Sequence, residues 1–238
     1  MPRTSELSLP LVMPAQAQKH VTVNQALAIL DTVTQLRVKD SLTTTPPPSA
    51  GDGDAFLVPA GAGGAWAGKA GMIAAWSNGG WSYLTPRPGW RAWDERLAGW
   101  QMFDGSVWVP NALAVSAGGA RLSARVLEFD HEIAAGATNL TTVRIPAGAQ
   151  VVGLSGRVTS AVVGAGITGW RAGVTGSDNR YGSGLGLTRN SYVAGLSGAP
   201  VTYYAATPVL LSAEGGAFVS GTVRLALHLL EISPPRAV

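Results

Sequence analysis

The sequence predicts a mainly β protein: a short N-terminal helix, a small Trp-rich β module, and a C-terminal antiparallel β-sandwich of jelly-roll type. Three observations predict it. The 238 residues include 31 Gly and 15 Pro, which cut the chain into short segments and leave little room for long helices. Seven of the eight tryptophans fall between residues 51 and 110, around tight-turn dipeptides. Beyond residue 123, apolar and polar residues alternate in run after run, separated by Gly, Pro and Asn clusters, the pattern of a sandwich or jelly roll.

The elements follow in order. Residues 1–20 carry Pro2, Pro10 and Pro14 and read as extended. Thr22-Val23-Asn24-Gln25 has the spacing of a capping box, in which a hydroxyl caps the third helical amide and the Gln reaches back. Ala26, Leu27, Leu30, Val33 and Leu36 then recur at helical spacing, which predicts a helix from about Val23 to Lys39. Its apolar stripe needs a partner, either its own domain or a bundle of identical helices at a symmetric base. Residues 1–42 form an N-terminal anchor on this reading. Three prolines within residues 43–50 favour an extended, semi-rigid spacer at the head of the 43–110 module.

Two hairpins are predicted in that module. Trp76 and Trp81 flank Asn78-Gly79, and Phe103 and Trp108 flank Asp104-Gly105. Such dipeptides supply the positive φ that tight hairpins need, and the flanking aromatics then meet across the strands. A small module buries little area, so large rings serve as its staples. Residues 111–123 read as a linker, and 124–238 as the sandwich. There Leu127, Phe129, His131 and Ile133 alternate. Val152, Leu154, Val158 and Val162 are expected on one face, and Trp170, Ala172 and Val174 on another. Val219, Val223, Leu225, Leu227 and Leu229 make a long last strand.

Composition bounds the chemistry. Only 13% of residues are charged, against ~25% in ordinary globular chains, so much of the surface is expected to meet other protein. The net charge is +3 with no Lys/Arg run, which argues against a nucleic-acid partner. The chain has no cysteine, so disulfides and thiolate metal sites are excluded. No apolar run approaches the ~18 residues of a membrane helix, so no membrane insertion is expected. Residues 7–13 make a poor secretory signal, because Glu6 precedes them and Pro10 breaks them. Release without a cleaved signal, by lysis, is expected.

No catalytic constellation is legible, and we expect no enzyme, no metal and no cofactor. His20, His131 and His228 lack metal-binding spacing. Gly51-Asp52-Gly53-Asp54 lacks the other ligands of a calcium loop and reads as a turn into the next strand. Asp130 and Glu132 point away from His131 on a strand. A glycosidase needs two carboxylates ~5–10 Å apart across a cleft, and only the folded chain or an oligomer could assemble them. The most binding-like segment is 175–182, read as a long polar loop containing Asp178, Asn179, Arg180 and Tyr181. An acid, an amide, a guanidinium and an aromatic are what a sugar site uses. Tyr192, Tyr203 and Tyr204 extend the candidate glycan surface.

Residues 7–31 carry Leu-Pro-Leu-Val-Met-Pro-Ala-Gln-Ala-Gln-Lys-His-Val-Thr-Val-Asn-Gln-Ala-Leu. With Phe56-Leu57-Val58-Pro59-Ala60-Gly61, Trp66-Ala67-Gly68 and Gly89-Trp90-Arg91-Ala92-Trp93, it resembles a family of unknown function found in phages and phage-like gene transfer agents of alphaproteobacteria. The resemblance covers roughly residues 7–110. Ile145-Pro146-Ala147-Gly148, Arg180-Tyr181-Gly182 and Tyr203-Tyr204 are similar to β-rich domains of phage fibres. The resemblance implies a virion head spike or fibre that binds host capsular polysaccharide and brings no catalytic residues. The implied partners are further copies, as a trimer or a vertex pentamer, a capsid or other spike protein, and the polysaccharide. Gln16, Gln18, Lys19, His20, Leu27, Leu30 and Val33 are the candidate anchoring and oligomer contacts. The rival expectations are a structural spike base without glycan binding and a capsule depolymerase.

Overall fold

The computed structural model describes residue 11 and residues 19–237. The fold is mainly β with one short N-terminal helix, as the sequence predicts. The chain divides into two compact units, Met1–Gly119 with Pro235–Val238, and Ala120–Pro234.

The first unit contains α1 (Lys19–Thr34), β1 (Arg37–Val38), β2 (Ala55–Leu57), β3 (Ile73–Ser77), β4 (Gly80–Leu84), β5 (Arg91–Asp94), β6 (Gly99–Phe103), β7 (Trp108–Pro110) and β8 (Ala112–Val115). Helix α1 starts earlier and ends sooner than expected, so Thr22 lies inside it rather than at its start. It stops because Leu36 and Val38 are drawn into the core, where β1 pairs in parallel with β5. The residues expected as anchor and module therefore share one core: Leu36 and Val38 pack with Ala55, Leu57, Ile73 and Ala92. The predicted second linker likewise contains β8 and the first residues of the next strand.

Two small sheets, β2-β3-β4 and β1-β5-β6-β7, carry this unit. Asn78 and Gly79 both take positive φ, and Trp76 faces Trp81 edge-on at 5.0 Å. Phe103 faces Trp108 at 5.3 Å, and Asp104 Oδ1 accepts the amides of Ser106 and Val107 in the loop between them. A third staple was not predicted: Trp93 meets Trp100 at 5.4 Å across β5 and β6. The turn behind it places Ala98 at φ +47°, and alanine is no turn signal. Phe56, Trp66 and Trp81 form a second small core on the other face of β2-β3-β4.

The second unit holds eight strands: β9 (Arg121–Glu132), β10 (Thr138–Ile145), β11 (Ala149–Ala165), β12 (Gly169–Val174), β13 (Ser177–Leu185), β14 (Tyr192–Tyr203), β15 (Thr207–Glu214) and β16 (Ala217–Ser233). The antiparallel pairs nest: β9 with β16, β10 with β15, β11 with β14, β12 with β13. Cross-pairing of β11 with β16 and of β12 with β15 gives two sheets, β14-β11-β16-β9 and β10-β15-β12-β13. A nested four-pair hairpin folded into two sheets is a jelly roll. Its core runs through Ile145, Leu154, Trp170, Tyr181, Val209, Phe218, Leu225 and Leu227.

Two strand phases shift from the sequence reading. A register break between Val151 and Gly153 turns Val151 inward, where the alternation placed Val152. In β16 the inward residue is Phe218 while Val219 is exposed. Gly221, at φ +147°, resets the alternation so that Val223, Leu225, Leu227 and Leu229 face inward as predicted.

Candidate functional site

Segment 175–182 is not a long loop. Val174 pairs with Ser177, so only Thr175-Gly176 turn, and the rest enters β13. Alternation on that strand sends Tyr181 into the core at 2% exposure, where its hydroxyl meets that of Tyr203 at 2.9 Å. Burial, then the Tyr203 hydroxyl, pushes the Tyr181 phenol far above its usual range. Neither ring offers a free face, which corrects their place in the candidate glycan surface. Tyr192 and Tyr204 are open, at 70% and 90%. They do not form one platform. Tyr192 starts β14 opposite Arg157, and Tyr204 follows its far end.

The rest of the segment is brought together with two residues that sequence reasoning missed. Arg171 alternates with inward Trp170 and Ala172, so it faces outward from β12. Its Nε donates to Glu214 Oε1 at 2.7 Å and its Nη1 to Asp178 Oδ2 at 3.1 Å. The second Glu214 oxygen accepts the amide of Gly184 at 3.0 Å. The guanidinium is held charged first by Glu214 and then by Asp178. Asn179 and Arg180 stand exposed on the same hairpin. Gly173 admits this geometry because a Cβ there would collide with the Ser177 and Asp178 backbone. The outcome is a fixed patch of donors and acceptors on an open strand surface. The two carboxylates share one guanidinium rather than flanking a cleft. The signal for Arg171 was its phase against Trp170; Glu214 had none, since its pairing is set by a strand 43 residues away.

Helix α1 places Leu27 and Val33 half-buried and Leu30 exposed at 52%. Gln16 and Gln18 lie outside the described residues, as do the side chains of Lys19 and His20. A cleft of about 480 Å³ runs between α1 and the β3–β4 hairpin. Asn24, Gln25, Asp31, Asp52, Asn78 and Ser82 are among its lining residues. Asp54 Oδ2 accepts the amide of Gly51, closing the turn into β2 as predicted.

His131 packs half-buried beside Asn139, and its Nε2 is enclosed without a hydrogen-bond partner. Burial depresses its pKa, opposed by the Asn139 bond. His228 Nε2 lies 2.8 Å from Ser155 Oγ. Among the described residues, no group of three or more His, Asp or Glu is placed to hold a metal, and no helix is long and apolar enough to cross a membrane.

Residues 23–109, within the first unit, match the family described as "Protein of unknown function (DUF2793)". No curated protein matches the sequence. Among solved structures, a chain of the cyanophage Pam1 capsid asymmetric unit is similar over 47% of this chain and 84% of its own, at 21% identity and a TM-score of 0.32. A superposition that loose defines neither a fold nor a role.

Proposed function

We propose that this chain is a virion surface protein, a head spike or fibre that attaches its particle to host surface polysaccharide without cleaving it. The observation that carries the reading is the Arg171–Glu214–Asp178 patch with Arg180 and Asn179 beside it. Guanidinium and carboxylate groups held in fixed positions make the bidentate hydrogen bonds that vicinal hydroxyls accept and donate. Three features support the particle setting. The chain is charge-poor at 13%. Helix α1 keeps Val23 and Leu30 exposed, a stripe its own unit leaves uncovered. The N-terminal residues resemble phage and gene-transfer-agent proteins. Jelly rolls also serve in capsids and lectins, a fold-level analogy. Weak affinity per site would be raised by repetition on the particle.

The test is binding of the purified full-length protein to an array of host capsular polysaccharides, with Arg171→Ala and Arg180→Ala beside wild type and glycan length followed by gel. The proposal expects wild-type binding, about tenfold weaker in each variant, with glycan length unchanged. Shortened glycan would point to a depolymerase. No binding by folded wild type would sink the attachment reading and leave the structural spike base, which the exposed α1 stripe favours.

A further inference from the structure

The outer faces of the two jelly-roll sheets are unlike. On β10-β15-β12-β13 the outward residues include Arg144, Arg171, Asp178 and Glu214, with Leu140 and its cross-strand neighbour Leu210 as the apolar pair. An antiparallel sheet with one solvated face is expected to look like this.

The outer face of β14-β11-β16-β9 departs from that pattern. Leu225, Leu227 and Leu229 of β16 point into the core, so Arg224, Ala226, His228, Leu230 and Ile232 point outward. The register sets Val126 beside His228, Leu122 beside Ile232, and Leu196 beside Gly153. Leu196 is 79% exposed, Ile232 81% and Val126 58%. Tyr192 belongs to the same face. In the run Leu225-Ala226-Leu227-His228-Leu229-Leu230 only His228 is polar, and a near-continuous apolar run is the mark of a strand covered on both sides. Five charged residues of this face, Glu128, Asp130, Glu132, Arg157 and Arg224, collect toward one end, where Arg224 forks onto Asp130 at 2.7 and 2.8 Å.

We propose that this face is a self-association surface, covered in solution by the same face of a second copy. Area argues for it. Four strands about 4.8 Å apart, with some twelve residues rising about 3.4 Å each, present roughly 800 Å². A standard stable interface takes about 800 Å² from each partner. Shape argues for it as well, since aligned sheets pack face to face within about 30°. Chemistry selects the occupant. Aligned packing of two such faces sets apolar end on apolar end and leaves the charged end, where Arg224 is forked onto Asp130 within each copy, at the solvated rim. The polar outer face of the other sheet would strand unpaired charges against this one. The surface does not depend on what the glycan patch binds.

Full-length protein is measured by light scattering after size exclusion across the micromolar range. Wild type is expected at a multiple of 24.4 kDa. Leu196→Glu with Ile232→Glu buries charge in the contact and is expected at 24.4 kDa with an unchanged β circular-dichroism spectrum. Leu140→Glu, on the opposite face, is expected to leave the multimer intact. Should the double variant lose its β spectrum, Val126→Ser with Tyr192→Ser takes its place and is expected to weaken association at least tenfold. A monomeric wild type, or a multimer that folded variants of this face leave intact, overturns the proposal. Glycan-array binding is scored separately, so loss of either property leaves the other readable.

Discussion

The two units solve the same problem with different side chains. The first has strands of two to five residues and two small cores, of six and four buried residues, stapled by rings: Trp76 on Trp81, Trp93 on Trp100, Phe103 on Trp108. The second has strands of up to seventeen residues, a single aliphatic core, and one tryptophan. Short strands bury little area per residue, so each contact must be large. Long strands gain area by length, and medium-sized Val and Leu interdigitate instead. The difference also provides separate reporters, because tryptophan fluorescence follows the first unit and β circular dichroism is dominated by the second.

The largest expected effects come from removing a large, fully buried ring from each unit. Phe218→Ala and Trp66→Ala should each cost about 3–5 kcal/mol. In denaturant titrations Phe218→Ala should shift the circular-dichroism transition and Trp66→Ala the fluorescence transition. If both probes move together for both variants, the units unfold as one and the comparison fails. Next, Tyr181→Phe should cost about 1–3 kcal/mol by leaving the Tyr203 hydroxyl buried without its partner. Adding Tyr203→Phe should cost less than the sum of the single changes. Glycan binding by folded Tyr181→Phe should match wild type, since the ring sits in the core. A smaller effect is expected at the partly exposed Trp93–Trp100 pair, where a double-mutant cycle should give a coupling of about 1 kcal/mol.

The smallest expected effect is a pH dependence in the second unit. His131 is depressed in the folded state, so the unfolded chain takes up its proton first as pH falls. Its contribution is fully present above the unfolded value near pH 6.5 and is lost as pH falls through the depressed folded value. His131→Asn should flatten the stability profile where pH falls below the unfolded value near 6.5. A profile as steep as wild type would assign that slope to other groups. Below that window, Asp130, held low by Arg224, takes over with the same sign.

How far the sequence could be read follows from where each signal is local. The Trp76–Trp81 hairpin was legible because Asn78-Gly79 names its own turn. The Trp93–Trp100 hairpin was not, because its left-handed turn position is held by Ala98, and alanine is no turn signal. The jelly-roll class was legible from alternation alone. Strand phase was not legible wherever a bulge intervened, at Val151–Gly153 and at Gly221, since a single extra residue turns the following side chains over. The glycan segment was read as a loop because its polar residues drew attention away from Thr175-Gly176, a two-residue turn in plain sequence. That misreading moved Tyr181 from core to surface, and it hid Arg171, whose phase against Trp170 was already visible. Glu214 closes the patch through strand pairing, which no local pattern reports.

The two outer faces of the jelly roll divide the proposed work, one for glycan and one for a second copy. Hydrogen–deuterium exchange of the full-length protein, with and without the capsular polysaccharide that it binds, tests this most directly. Slowed exchange confined to β12–β13 and the end of β15 around Glu214 is the result expected. Protection on β14 and β16 instead, with the β12–β13 hairpin unchanged, would contradict the account.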